Sequence, residues 1–314
     1  MSGGKTGQVT TVRQKGRTVG GHFARRVSLF REAWFIPGVA YPMDGGFFNL
    51  GGYPMDLQLK GKVVLVTGGA KGIGAAIVRA CAAESAIPVF LDRDAEAGQQ
   101  LQSTLRSSGV ECEFIAGEIT APQTCRKTVE QVRQKFGRLD ALVNNVGAND
   151  HVGLEHGTPE RFIASLELNL VHYYAMAHYA LPALQQSQGS IVNLSSKTAV
   201  TGQGGTSGYV ASKAAILGLT REWAAELLPL GIRVNAVIPA EVMTALYRQW
   251  LSGFPNPEEK LAAIISKIPL GKRMTKPEEI ADTVLFLLSE RASHITGQHV
   301  FVDGGYTHLD RALT

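Results

Sequence analysis

From about residue 57 onward the chain alternates short apolar runs with longer stretches of helical period. Seven runs read as strands: Val63–Val66, Pro88–Leu91, Cys112–Ala116, Ala141–Asn144, Ser190–Leu194, Ile232–Val237 and Gln298–Val302. Between them lie helical patterns at Ala75–Glu84, Ala95–Ser107, Pro122–Phe136, Pro159–Gln186, Tyr209–Leu228 and Pro277–Ser289. The clearest run, Val63–Val66, is continuously apolar and β-branched-rich, as a strand buried on both faces should be. Strand–helix alternation of this kind predicts right-handed crossovers. The expected fold is therefore one doubly wound α/β domain, a seven-stranded parallel sheet with helices on both faces. No linker interrupts the series after residue 60, and the domain is expected to span 55–314.

The chain is organised around Lys62–Gly74, KVVLVTGGAKGIG. A buried-type strand runs straight into a turn carrying Gly68, Gly69, Gly72 and Gly74, and then into a breaker-poor helix. Glycines let the backbone approach a pyrophosphate, and the helix N-terminus offers free N–H groups and partial positive charge. Asp92 closes the next apolar run, where a carboxylate can accept hydrogen bonds from an adenosine ribose. Together these features predict a dinucleotide site.

Charge adds a boundary. The formal net charge is +4, too small to call for nucleic acid. Residues 1–54 carry seven Lys/Arg against Glu32 and Asp44, a net of +5, which leaves the remainder near neutral. This Gly-rich, basic segment shows no sustained period. A transit peptide, a disordered tail and upstream sequence translated from an early start all fit it. Met55, directly before the first convincing strand, favours the last. The three cysteines, Cys81, Cys112 and Cys125, form no C-x-x-C pair and read as free, buried thiols in a reducing, cytoplasmic setting. No apolar run approaches the ~18 residues of a membrane span, and the histidines lack metal-ligand spacing such as H-E-x-x-H.

Three further stretches carry chemistry. ALVNNVG (141–147) ends a strand in two amides and a glycine, at the carboxyl edge where a ligand would lie. Asn144 and Asn145 either brace that loop or meet the cofactor. SIVNLSS (190–196) ends a strand in two hydroxyls, which either cap the next turn or act on substrate. Tyr209 and Lys213 stand four apart, on one helix face. A free tyrosine titrates near ~10, and a nearby ammonium favours the phenolate. A tyrosine, a lysine one turn on and a serine hydroxyl can move a proton from an alcohol while its carbon loses hydride.

From about Met55 to Gly305 these residues make the chain resemble the short-chain dehydrogenases/reductases. The matching stretches are TGGAKGIG (67–74), NNVG (144–147), Asn169 in ELNL, NLSS (193–196), YVASK (209–213), VNAVIPAEVMT (234–244) and ITGQHVFVDGG (295–305). The resemblance implies a Rossmann domain and NAD(P)-dependent hydride transfer. It also implies roles: Ser196 polarises the substrate oxygen, Tyr209 is the acid/base, Lys213 lowers its pKa and holds the nicotinamide ribose, and Asn169 keeps a water in the relay. It implies a cofactor site of Gly68, Lys71, Gly72, Ile73, Gly74, Asp92, Arg93, Glu118, Ile119, Asn145, Val146, Gly147, Tyr209, Lys213, Pro239, Val242 and Thr244. Three positions depart from the family: Val146 replaces an alanine, Glu118 an aspartate and Ala240 a glycine. None belongs to the relay. In the family, the helices matching Pro159–Gln186 and the Tyr209 helix pair between subunits, so a homotetramer is expected. The aromatic Tyr173, Tyr174, Met176 and Tyr179 stretch reads as such an interface helix.

Asp92 favours NAD, because a carboxylate pairs with ribose hydroxyls and repels a 2′-phosphate. Lys71 and Arg93 favour NADP. The carboxylate in the direct position outweighs them. Around the catalytic stretch the loops are polar: Asn149 and His151, Lys197 and Gln203, and Glu241. A steroid or acyl chain would want apolar walls. Convergent amide, imidazole and carboxylate groups suit several hydroxyls. IPAEVMT and DGGYTHLDRAL (303–313) are similar to bacterial L-fucose dehydrogenases within the family. That implies oxidation of the anomeric hydroxyl of an aldose, with Ser196 and Tyr209 at C1 and Asn149, His151 and Glu241 as candidates for the other hydroxyls. The alternatives are a 3-oxoacyl-carrier-protein reductase and a hydroxysteroid dehydrogenase.

Overall fold

The carboxyl ends of Thr67, Asn144, Leu194 and Pro239 line up along one edge of a single parallel sheet, and that alignment positions the site. The structure, a computed structural model, describes residues 56–309. The N-terminal extension 1–54 lies outside the described residues.

The strands are β1 (Val63–Thr67), β2 (Ile87–Asp92), β3 (Glu113–Ala116), β4 (Ala141–Asn144), β5 (Ser190–Leu194), β6 (Arg233–Pro239) and β7 (His299–Val302). All pair in parallel, in the order β3-β2-β1-β4-β5-β6-β7. Seven strands, the parallel arrangement and cover on both faces are as the apolar runs predict. The two half-sheets diverge between β1 and β4, the switch point where such folds bind nucleotides.

The helices are α1 (Gly72–Ala83), α2 (Ala95–Ser107), α3 (Pro122–Phe136), α4 (Pro159–Leu166), α5 (His172–Ser187), α6 (Ser207–Leu227), α7 (Ala245–Ser252), α8 (Pro257–Ile265) and α9 (Pro277–Leu288). Their ends follow local chemistry. Asp94 caps α2 by accepting from Ala97 N at 3.0 Å. Pro122 opens α3 and Gly137, at φ 70°, closes it. Glu279 accepts from Lys276 N at 2.8 Å at the start of α9 and is paired to Arg273, which holds its carboxyl down at about 2.

Two apolar layers flank the sheet. On one face α1 and α9 pack Ile77, Val78, Val284 and Leu285 on Val64 and Val66. On the other, α3, α5 and α6 pack Val129, Met176, Leu184 and Ile216 on Leu65, Leu142 and Ile191. The thiols Cys81, Cys112 and Cys125 are free and buried, and burial pushes Cys81 up to about 12 and Cys125 to about 11.

The structure corrects two expectations. Pro159–Gln186 is not one helix: a π turn at Glu167–Val171 separates α4 from α5. Its extra residue rotates the faces of α5 relative to those of α4. Tyr173 and Met176 enter the core fully buried, while Tyr174 faces outward at 57% exposure. The segment after Thr244, to which the periodicity assigns no element, folds into α7 and α8.

Candidate active site

The glycine turn leaves β1 at Gly68, φ 66°, and enters α1 through Gly72, φ 56°. Both conformations are costly for any side chain but glycine. Gly74 is there for space: a Cβ on it would sit 1.9 Å from the Gly68 carbonyl. The first turn of α1 has no acidic residue and its N-cap, Lys71, makes no side-chain cap bond. Its N–H groups are left for an anion. Thr244 closes over the turn, its Cγ2 3.4 Å from where a Gly72 Cβ would stand.

Asp92 ends β2 beside this turn. One carboxylate oxygen accepts from Ala70 N and the other from Asp94 N, both at 3.0 Å. The two basic neighbours are already paired: Lys71 to Asp94, and Arg93 to Glu118 at 3.7 Å. The pairing raises the Lys71 pKa and lowers that of Asp94. Ile119, buried, follows Glu118, and Ile73 lies half-buried in the first turn of α1.

β4 continues into Asn145, Val146 and Gly147. Asn144 is fully buried and donates to Asn193 Oδ1 at 3.0 Å across the β4–β5 register. Asn145 donates to the carbonyls of Thr67 and Gly68 at 3.0 and 3.2 Å. Asn145 therefore braces the loop to the glycine turn, while Asn144 ties β4 to β5. Gly147 makes room for the lysine, because its Cβ would stand 2.9 Å from Lys213 Nζ and 3.2 Å from Asn169 Oδ1.

Asn169 sits in the π turn with no exposure. It donates to Ser165 O at 3.1 Å and accepts from Ala148 N at 2.8 Å. Ser196 follows β5; its Oγ accepts from Thr198 N at 3.3 Å and Thr198 Oγ1 at 3.1 Å, which leaves its own proton for the Tyr209 side. Ser195 instead turns inward and donates to the Lys213 carbonyl at 2.7 Å. α6 carries Tyr209 and Lys213, with Nζ 5.7 Å from the Tyr209 ring centre. Nζ donates to Leu194 O at 3.0 Å and Tyr173 Oη at 3.1 Å. Burial drives Lys213 down to about 7. Burial also raises the Tyr209 phenol, and a hydrogen bond from Ser196 acts in the opposite direction. In the protein alone, burial rather than Lys213 dominates that tyrosine.

Of the polar loop residues, Asn149 and His151 are exposed, and Asn149 Oδ1 accepts from His151 N at 3.2 Å in a turn where His151 has φ 55°. Glu241, after Pro239, is largely enclosed. One carboxylate oxygen pairs with Lys197 and the other accepts from Tyr247 Oη at 2.6 Å. Lys197 Nζ also lies 3.8 Å over the Tyr306 ring. Val242 is buried and bridges to Thr275. Sequence reasoning missed Tyr247, Tyr306 and Tyr173, and only the aromatic run around Tyr173 carried a signal. Among the described residues no group of His, Cys, Asp and Glu is placed to hold a metal, and no helix is long and apolar enough to cross a membrane.

A doubly wound sheet with a glycine turn at its switch point and an acid after β2 fits a dinucleotide. The uncapped α1 N-terminus and the space kept by Gly72 and Gly74 fit it too. The class is thus a nicotinamide-dependent oxidoreductase. Residues 68–307 match a family model described as enoyl-(acyl carrier protein) reductase, and the chain belongs to the short-chain dehydrogenase/reductase family. It is 37% identical over 257 residues to a 3-oxoacyl-[acyl-carrier-protein] reductase of Thermotoga maritima, covering 79% of this chain and 99% of that one. It is 37% identical over 249 residues to an L-fucose dehydrogenase of Mus musculus, covering 79% and 89%. Among solved structures it is similar to Cj0485 dehydrogenase, 48% identical with a TM-score of 0.79, covering 83% of this chain and 99% of that one. The enzyme is an NAD(P)-dependent short-chain dehydrogenase.

Proposed function

We propose that the enzyme oxidises the anomeric hydroxyl of an aldose, with L-fucose the favoured substrate and its lactone the product. The observation that carries this reading is the convergence of Ser196, Tyr209 and Lys213 beside Asn169, with Glu241 fixed in the adjoining loop. When bound, NAD supplies a positively charged hydride acceptor. Ser196 turns its hydroxyl proton from Tyr209 to the substrate oxygen and orients it. Tyr209 takes the C1 hydroxyl proton as C1 gives up its hydride. Lys213 directs its remaining N–H toward the nicotinamide ribose past Gly147. Asn169, whose side chain is fixed at both ends, holds a water between Lys213 and solvent. Glu241, held by Lys197 and Tyr247, supports recognition of further hydroxyls, with Asn149 and His151 at the rim.

NAD is preferred over NADP in this reading, because Asp92 faces the ribose position while Lys71 and Arg93 are each tied to a carboxylate. The L-fucose dehydrogenase of Mus musculus supports a sugar substrate. A second copy of the chain would pack on α5 and α6, where outward Tyr174 stacks on His178 at 5.9 Å and lies 6.5 Å from Trp223. A tetramer built on that helix pair is the proposed assembly. The second reading, reduction of a 3-oxoacyl thioester, is favoured by the Thermotoga maritima relative.

NADH formation at 340 nm separates the two. Purified enzyme is assayed with NAD or NADP, a panel of free aldoses and a 3-oxoacyl thioester. Oxidation of L-fucose with NAD supports the sugar reading. Silence on every aldose with NADPH-driven thioester reduction overturns it. Tyr209→Phe should cut turnover by at least ~10²-fold while the cofactor still binds.

A further inference from the structure

Tyr173 is a fully buried tyrosine that the relay does not use. Its hydroxyl donates to Leu194 O at 2.8 Å and accepts from Lys213 Nζ at 3.1 Å. Lys213 Nζ donates to the same Leu194 carbonyl at 3.0 Å. Three polar atoms thus close a triangle at the end of β5, one residue before Ser195 and two before Ser196. The phenol can donate once and accept twice, so both bonds are made at once.

We infer that Tyr173 is a positioning residue for the relay: its hydroxyl fixes the Lys213 ammonium against the end of β5 and keeps that ammonium charged. The inference rests on the relay reading of Lys213. A lysine ammonium has three N–H groups. The triangle takes two, and the third is left to point past Gly147. An ammonium on a four-carbon stem has many rotamers, and the second acceptor removes that freedom. The π turn makes this possible, because its extra residue turns Tyr173 inward to meet α6.

The surroundings leave Lys213 dependent on neutral partners. From α6 it faces Tyr209, and from α5 it faces Tyr173 and His172. Burial and then the Lys213 charge push His172 down to about 3, so it stays neutral. From β5 comes the Leu194 carbonyl, and from the π turn the Asn169 amide lies beside it at Gly147. Burial, not a neighbouring charge, lowers its pKa. Removing one of two protein acceptors disfavours the ammonium further, and a neutral lysine no longer favours the Tyr209 phenolate.

Tyr173→Phe isolates the hydroxyl, since the ring 5.2 Å from Nζ remains. The Leu194 carbonyl keeps its bond from Lys213. With the full chain, kcat should fall about fivefold or more near neutral pH, and the acid limb of the kcat profile for oxidation should move up by roughly half a pH unit or more. KM for NAD should stay within about threefold. A variant with unchanged kcat and an unmoved limb overturns the inference. Tyr173→Met, which refills the volume without a hydroxyl, gives the same readout should the phenyl variant not fold. Lys213→Met, run alongside, separates the layers. If it retains near wild-type turnover, the relay reading itself fails. If it is inactive while both Tyr173 variants behave as wild type, only the Tyr173 assignment fails.

Discussion

The Asp92 carboxylate accepts from the Ala70 backbone N–H at 3.0 Å, which fixes it at the mouth of the glycine turn. Its second oxygen is held by Asp94 N, so the group cannot swing away to admit a 2′-phosphate. Asp92→Asn should lower kcat/KM for NAD about tenfold and shift the NAD/NADP preference toward NADP by a further factor. The gain for NADP should remain small, because Lys71 stays bound to Asp94. Adding Asp94→Asn frees Lys71 and should raise NADP use well beyond the single variant. Initial rates with both cofactors check this; equal NADP use by the single and double variants would refute the paired-lysine argument.

The glycines of the turn should not respond alike to alanine. Gly72 has positive φ but an open side, with Thr244 Cγ2 3.4 Å from the added Cβ. Gly72→Ala should cost about 1 kcal/mol of backbone strain. Gly74 has an ordinary backbone, yet its Cβ would meet the Gly68 carbonyl at 1.9 Å. Two backbone segments must then part, and Gly74→Ala should cost at least ~2 kcal/mol and weaken cofactor binding more than tenfold. Urea unfolding and NADH fluorescence titration test the order. A larger loss for Gly72→Ala would mean that conformation, not close approach, governs the turn.

Much of this architecture is legible in the sequence, and the illegible parts have identifiable causes. The seven apolar runs mark their strands to within about two residues, because strands buried on both faces have nothing polar to interrupt them. α2 and α3 are bounded by Asp94, Pro122 and Gly137, which act locally. α8 buries no residue, so periodicity had nothing to register there, although Pro257 with Glu258 and Glu259 after it was a usable start signal. A π turn has no such local signal, so the pattern read Tyr173 and Tyr174 as equivalent surface aromatics when one is core and the other exposed. The Glu241–Lys197 pair spans 44 residues and no periodicity encodes it.

That pair yields its own prediction. The Lys197 and Glu241 side chains are 12% and 15% exposed, and Tyr247 holds the second carboxylate oxygen. Glu241→Gln leaves a largely enclosed ammonium without its counter-ion, which should lower stability by about 1–3 kcal/mol. Under the sugar reading it should also raise KM for the sugar about tenfold while KM for NAD stays within about threefold. A parallel rise in both constants would show that Glu241 merely holds the loop that carries Thr244.

The buried Lys213 should make the free enzyme less stable than it need be. Its folded pKa is about 7, against roughly 10.4 in an unfolded chain. Between those values the unfolded state binds more protons, so this group makes stability rise as pH climbs from about 7 to about 10. Below that window the cost of burying the ammonium is felt in full. Lys213→Met removes the charge, and Tyr173 Oη still donates to Leu194 O at 2.8 Å. The variant should therefore be inactive yet more stable than wild type near pH 6, by on the order of 1–3 kcal/mol. The advantage should shrink toward pH 10. Urea unfolding of both proteins across this range measures it. A variant less stable than wild type at pH 6 would show that the ammonium's hydrogen bonds outweigh its desolvation and that Lys213 supports the fold as well as the chemistry.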